Sequence, residues 1–102
     1  MTILHTVNKS PFERDALSAC LSMAKKGSSV LLIEDGVYAA MQGTRFEDQV
    51  TQAKAEVKLY VLGPDLQARG MAAERIIDGI QVVDYGGFVD LTTEHDTVQA
   101  WL

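Results

Sequence analysis

Five short apolar runs set the frame of this chain. Thr2 to Val7 (TILHTV), Ser29 to Ile33 (SVLLI), Val57 to Leu62 (VKLYVL), Ile80 to Val83 (IQVV) and Thr97 to Trp101 (TVQAW) are rich in β-branched residues and separated by helix-length segments. The stronger runs are apolar nearly throughout instead of alternating, which suits strands covered on both faces, as in a parallel sheet. Parallel neighbours need long crossovers, and the intervals between the runs have room for them. The pattern predicts an α/β fold: a three-layer α/β/α sandwich with four or five mainly parallel strands, in one domain spanning residues 1–102. A chain of 102 residues can bury a single core and has little to spare beyond it.

The intervals carry helix signals. Ser10 to Gly27 (SPFERDALSACLSMAKKG) predicts one helix, with Ser10 as N-cap, Pro11 in the first turn, Glu13 completing a capping box and Gly27 closing the far end. On a helical wheel Phe12, Ala16, Leu17, Ala19, Cys20, Leu21, Met23 and Ala24 share an apolar arc, with Cys20 near its middle. Asp35 is placed to cap a short helix through GVYAAM. Thr44 and Glu47 offer a second capping box before FEDQVTQAKAE, where Phe46, Val50 and Ala53 share a face. Pro64 suits the first turn of PDLQAR, which Gly70 closes, and GGFVDLTTE after Asp84 predicts a last helix.

Composition then excludes whole classes of function. Nine basic against fourteen acidic residues leave a net charge of −5, with no basic run, which disfavours direct nucleic-acid binding. One cysteine excludes an internal disulfide and any CxxC redox or zinc motif. No stretch approaches the ~20 apolar residues of a membrane span, and no secretory signal is evident, so the expected location is cytoplasmic. Neither GxGxxG nor GxxxxGK[ST] occurs, so no cofactor is expected, and the two histidines lack metal-ligand spacing.

Chemistry in an open α/β sheet collects beyond the carboxyl ends of the strands. Those ends carry Asn8-Lys9-Ser10, Glu34-Asp35-Gly36, Gly63-Pro64-Asp65 and Asp84-Tyr85-Gly86-Gly87. Their carboxylates suit acid/base or metal work, but Asp35, Asp65 and Asp84 equally suit helix caps and turns, the favoured reading. Cys20, in apolar company, reads first as a packing cysteine, because burial raises a thiol's pKa and makes it inert. A Cys20–His5 nucleophilic pair requires the fold to bring them together; otherwise His5 is a hydrogen-bonded core or interface residue. Tyr38, Met41, Phe46, Tyr85, Phe88 and Trp101 serve either the core or a subunit interface.

Four segments in order, LHTVNKSPFE (4–13), LLIEDGVYAA (31–40), LYVLGPDLQARG (59–70) and VVDYGGFVDLTTEHDTVQAWL (82–102), resemble the DsrH/TusB family from end to end. The resemblance implies a DsrE-like fold and a place in a heterohexameric sulfurtransferase, built from two copies each of this chain, a DsrE/TusD-like subunit and a DsrF/TusC-like subunit. In DsrEFH complexes such an assembly passes persulfide sulfur to a DsrC carrier during sulfur oxidation. In TusBCD complexes the analogous relay supplies sulfur, through TusE, for 2-thiouridine in tRNA. The wording of HTVNKSPFER and VLGPDLQARG, together with Cys20, is closer to DsrH, which favours sulfur oxidation over tRNA thiolation. The resemblance makes Cys20 the candidate persulfide site, while the main reactive sulfur belongs to the DsrE/TusD-type partner. The alternatives are an architectural subunit without a reactive thiol of its own and, from another class, a free-standing ligand-binding domain using the acidic strand ends.

Overall fold

The computed structural model describes residues 2–102. Five strands, β1 (Ile3–Val7), β2 (Ser29–Leu32), β3 (Lys58–Leu62), β4 (Gln81–Val83) and β5 (Thr97–Trp101), form one sheet in the order β4-β3-β2-β1-β5, and every pairing is parallel. All five apolar runs therefore become strands, and the sheet has the larger of the two expected strand counts.

Helices cover both faces at the centre of the sheet, which is why β1 and β2 are buried nearly throughout, whereas the edge strands β4 and β5 are largely exposed. On one face lie α1 (Ala16–Met23), a 3-10 segment (Glu34–Ala40), α2 (Glu47–Ala53) and α3 (Gly63–Ala68). Leu17, Cys20, Val37, Val50 and Leu66 from these elements pack on Val7, Val30, Leu32, Leu59 and Val61 of the sheet. The other face carries α4 (Tyr85–Glu94) alone, with Leu91 buried against Leu4 and Leu31. No helix among the described residues is long and apolar enough to cross a membrane.

Two connectors form as their sequences predict, and in the third α2 starts at Glu47 without the expected capping box. Pro64 sits in the first turn of α3, and Gly70 (φ +66°) ends it in the left-handed conformation, with Met71 N–H donating to Leu66 O (3.0 Å) and Gly70 N–H to Gln67 O (3.1 Å). Asp84 caps α4 by accepting from Gly87 N–H at 2.8 Å. Thr44 Oγ1 accepts from Phe46 N–H (3.1 Å), while Glu47 Oε1 reaches back to Gly43 N–H (2.6 Å), one residue earlier than a capping box would have it.

The first connector does not follow its local signal. Helix α1 begins at Ala16, not after Ser10, and ends at Met23. Ser10 instead closes a separate turn: its carbonyl accepts from Glu13 and Arg14 N–H (both 3.1 Å) and its Oγ accepts from Phe12 N–H (3.2 Å). Tertiary packing overrides the cap, because that turn carries Phe12 out of the apolar arc and edge-on to Phe46, with ring centroids 5.2 Å apart. Arg45 lies over both rings. Gly27 is left-handed (φ +91°) as expected, but it shapes the turn into β2 rather than the helix end, since Ala24 is already extended (ψ 129°). Residues 73–75 add a short 3-10 turn with no sequence signal of its own. It is tied to the loop after the first 3-10 segment by Gln42 N–H to Arg75 O (2.7 Å).

Candidate functional site

Helix α1 presents only Leu17 and Cys20 fully to the core. Cys20 is 0% exposed, and burial alone pushes its thiol up to about 12. The later start of α1 brings the thiol to little more than one turn from the helix N-terminus, closer than a helix from Ser10 would, yet the dipole does not offset desolvation. Near neutral pH the thiol is therefore held in its protonated form.

His5 does not activate it. The Trp101 indole Nε1–H donates to His5 Nδ1 at 3.0 Å, so Nδ1 is the acceptor and Nε2 carries the proton. That Nε2 is buried without a hydrogen-bond partner, so no Cys20–His5 pair forms. Burial also holds the imidazole below its usual pKa, in the neutral form. His5 is the hydrogen-bonded core residue that its place in the strand suggested. The other histidine is also structural: His95 Nδ1 lies 2.7 Å from Leu91 O and Nε2 lies 2.9 Å from Ser29 Oγ, locking the end of α4 onto β2. The carbonyl can only accept, so Nδ1 holds the proton.

The carboxylates at the strand ends shape the backbone. Asp35 does not cap the 3-10 segment that follows β2, which has no side-chain cap. It accepts instead from Arg69 Nε (3.1 Å) and Nη2 (2.9 Å), because α3 brings that guanidinium across the loop. Asp65 Oδ2 accepts from Glu34 N–H at 2.6 Å, supporting a residue held at φ +50°. With Asp84 on α4, two of the three aspartates act as turn or cap residues, and Asp35 is held in an ion pair with Arg69. Gly36 lets the 3-10 segment approach the end of β1, since a Cβ there would penetrate the Val7 carbonyl oxygen.

The direction of winding reverses between β3, which leads to α3 on one face, and β4, which leads to α4 on the other. A cleft of about 600 Å³ opens there, lined by Gly63, Pro64, Gln67, Val82, Val83, Asp84 and Gly87. Its single ionisable group, Asp84, is already committed to capping α4. Among the described residues no three His, Cys, Asp or Glu side chains group as metal ligands. The structure thus disperses most of the sequence candidates: Cys20 lies in the core, His5 beside Trp101 and Asp84 at the head of α4, while Asp35 and Asp65 meet around Arg69 and the Glu34 backbone. The bonds from Trp101 to His5 and from His95 to Ser29 have no sequence signal, because they join residues far apart in the chain.

A family model described as "DsrH like protein" matches residues 9–98. Protein TusB of Shigella flexneri is 38% identical over 99 residues, covering 97% of this chain and 100% of that protein. Protein TusB of Escherichia coli O1:K1 is 39% identical over the same share of each. Among solved structures, the ychN protein from E. coli superposes with a TM-score of 0.84 at 18% identity, covering 98% of both chains. MTH1491 from Methanobacterium thermoautotrophicum, a protein of unknown function, superposes with a TM-score of 0.76 at 16% identity over 96% of both. At those identities the likeness to the two solved structures is one of fold.

Proposed function

The chain belongs to the DsrH/TusB family, and on that premise we propose that it is a TusB-type subunit of a sulfur relay supplying 2-thiouridine synthesis in tRNA. The observation that carries this reading is the match to proteins named TusB along the whole of their length, at 38% and 39% identity. It reverses the order of the two branches suggested by the wording of two segments and by Cys20, in which the DsrH-type role in sulfur oxidation stood first.

Within the relay the chain is architectural. Sulfur transfer requires a thiolate to attack the outer sulfur of a donor persulfide, which asks for access and a lowered pKa. Cys20 has neither. A partner chain of the DsrE/TusD type therefore holds the reactive sulfur. This subunit, with a DsrF/TusC-like chain, completes a cytoplasmic assembly of two copies each that delivers to a DsrC/TusE-like acceptor. Residues 1–102 act in it as one domain.

The test is genetic and chemical. In a strain lacking this chain, digested tRNA analysed by mass spectrometry loses 2-thiouridine, and both the wild-type gene and Cys20→Ala restore it. Intact thiouridine together with impaired sulfur oxidation would return the DsrEFH reading to first place. Restoration by the wild type but not by a folded Cys20→Ala would make the thiol a working group.

A further inference from the structure

A second cavity lies at the β1–β5 edge, on the α1 side of the sheet, and it exists because α1 stops short. The helix ends at Met23 and gives way to extended backbone at Ala24, which leaves space open above the edge strand. Ile3 and His5 of β1 with Gln99 and Trp101 of β5 form its floor, and Met23 and Lys25 form its wall, around a volume of about 260 Å³. His5 pairs with Gln99 in register, so their side chains stand next to each other on this face.

One polar atom of the floor is unpaired. His5 is 3% exposed, and among the described residues its Nε2 has no hydrogen-bond partner. Trp101 occupies Nδ1 with its indole N–H, so the proton sits on Nε2 and that atom can only donate. Nε2 lies on the side of the ring remote from Cβ, directed off the strand into the layer where the cavity opens. A buried donor left unpaired calls for an acceptor. A single water would fill a fraction of this space, whose walls at Ile3, Met23 and Trp101 are apolar.

Charge narrows the class of ligand. Lys25 is the one permanently charged side chain of the lining, and it is exposed. Asp96, just before β5, is not on the lining, and its carboxylate accepts from Thr2 N–H at 2.9 Å. The partial negative charge at the carboxyl end of α1 is offset by Lys25 and by Lys26 beside it. An amine would meet the imidazole N–H and the ammonium group as fellow donors, whereas a carboxylate accepts from both.

We propose that this cavity binds a small organic carboxylate. One oxygen accepts from His5 Nε2–H, the other from Lys25 or the Gln99 amide, and a short apolar body lies against Trp101 and Met23. Met23, unbranched and 66% exposed, is the wall that yields to admit it. The inference goes beyond the sulfur-relay reading and does not depend on it.

Trp101 is the single tryptophan of the chain, so its fluorescence reports this cavity directly. The probe is benzoate, set against benzylamine, which has the same ring and the opposite charge, each titrated into the full chain. Benzoate should shift the emission saturably, in the millimolar range that so small a ligand permits. It should also move the Nε2 resonance of His5 in a nitrogen NMR spectrum, and benzylamine should do neither. His5→Phe removes the donor and keeps a ring of similar size, while Lys25→Glu reverses the charge. Each should weaken benzoate binding by about tenfold or more. Lys25 is exposed, so the Lys25→Glu result stands even where His5→Phe disturbs folding. No saturable response to benzoate in the wild type would overturn the site. Equal responses to benzoate and benzylamine would overturn the ligand class. Benzoate binding undiminished in folded Lys25→Glu would overturn the assigned residues. None of these outcomes bears on the thiouridine test, so the two readings fail separately.

Discussion

Trp101, in the last strand, donates its indole N–H to Nδ1 of His5, in the first, at 3.0 Å. The bond joins the two ends of the chain across the β1–β5 pairing and fixes the tautomer of a buried imidazole. Trp101→Phe keeps most of the apolar contact and leaves Nδ1 without its donor. The expected cost is about 1–3 kcal/mol, measured by chemical denaturation.

The same imidazole makes stability depend on pH. Burial lowers the pKa of His5 below its ordinary 6.5, so the unfolded state binds the proton more readily than the folded one. The contribution is present in full above 6.5 and is lost as pH falls through the lowered folded value. Denaturation midpoints should therefore decline below pH 6.5, and His5→Gln should remove part of that decline.

Gly36 is required by backbone proximity rather than by a positive φ, because a side chain there meets the Val7 carbonyl. Gly36→Ala should destabilise by about 1–3 kcal/mol or more, as overpacking does. Gly43→Ala removes a left-handed glycine (φ +82°) with open space around it, and loses only the backbone preference. The contrast in melting temperature between the two separates steric from conformational cost.

Much of the fold was legible because its signals are local. Apolar runs gave the five strands, Pro64 with Gly70 bracketed α3, and Asp84 announced the cap of α4. The burial of Cys20 followed from its place in the apolar arc of α1. Ser10, Pro11 and Glu13 misled for a physical reason: a good local cap yields to the packing of Phe12 on Phe46 and Arg45, more than thirty residues away. Asp35 was drawn from its cap by Arg69 in the same way. Of the large side chains that suited either core or interface, Tyr85 is the exposed one. Nothing in its own sequence window separates it from Phe88, which packs on the Leu4–Leu31–Leu91 cluster.

Burial also makes Cys20 kinetically silent. An alkylating reagent at neutral pH should leave the native chain unlabelled and modify it fully once denatured. Labelling rates that track denaturant concentration would show that access requires opening of α1.

The most direct measurement is intact mass after the assembled complex has been exposed to a persulfide donor, with this subunit resolved from its partners. An architectural role predicts no gain on this chain and a reductant-sensitive gain of sulfur on the DsrE/TusD-like partner. A reductant-sensitive gain of one sulfur atom on this chain, absent from Cys20→Ala, would contradict it and place the thiol in the relay.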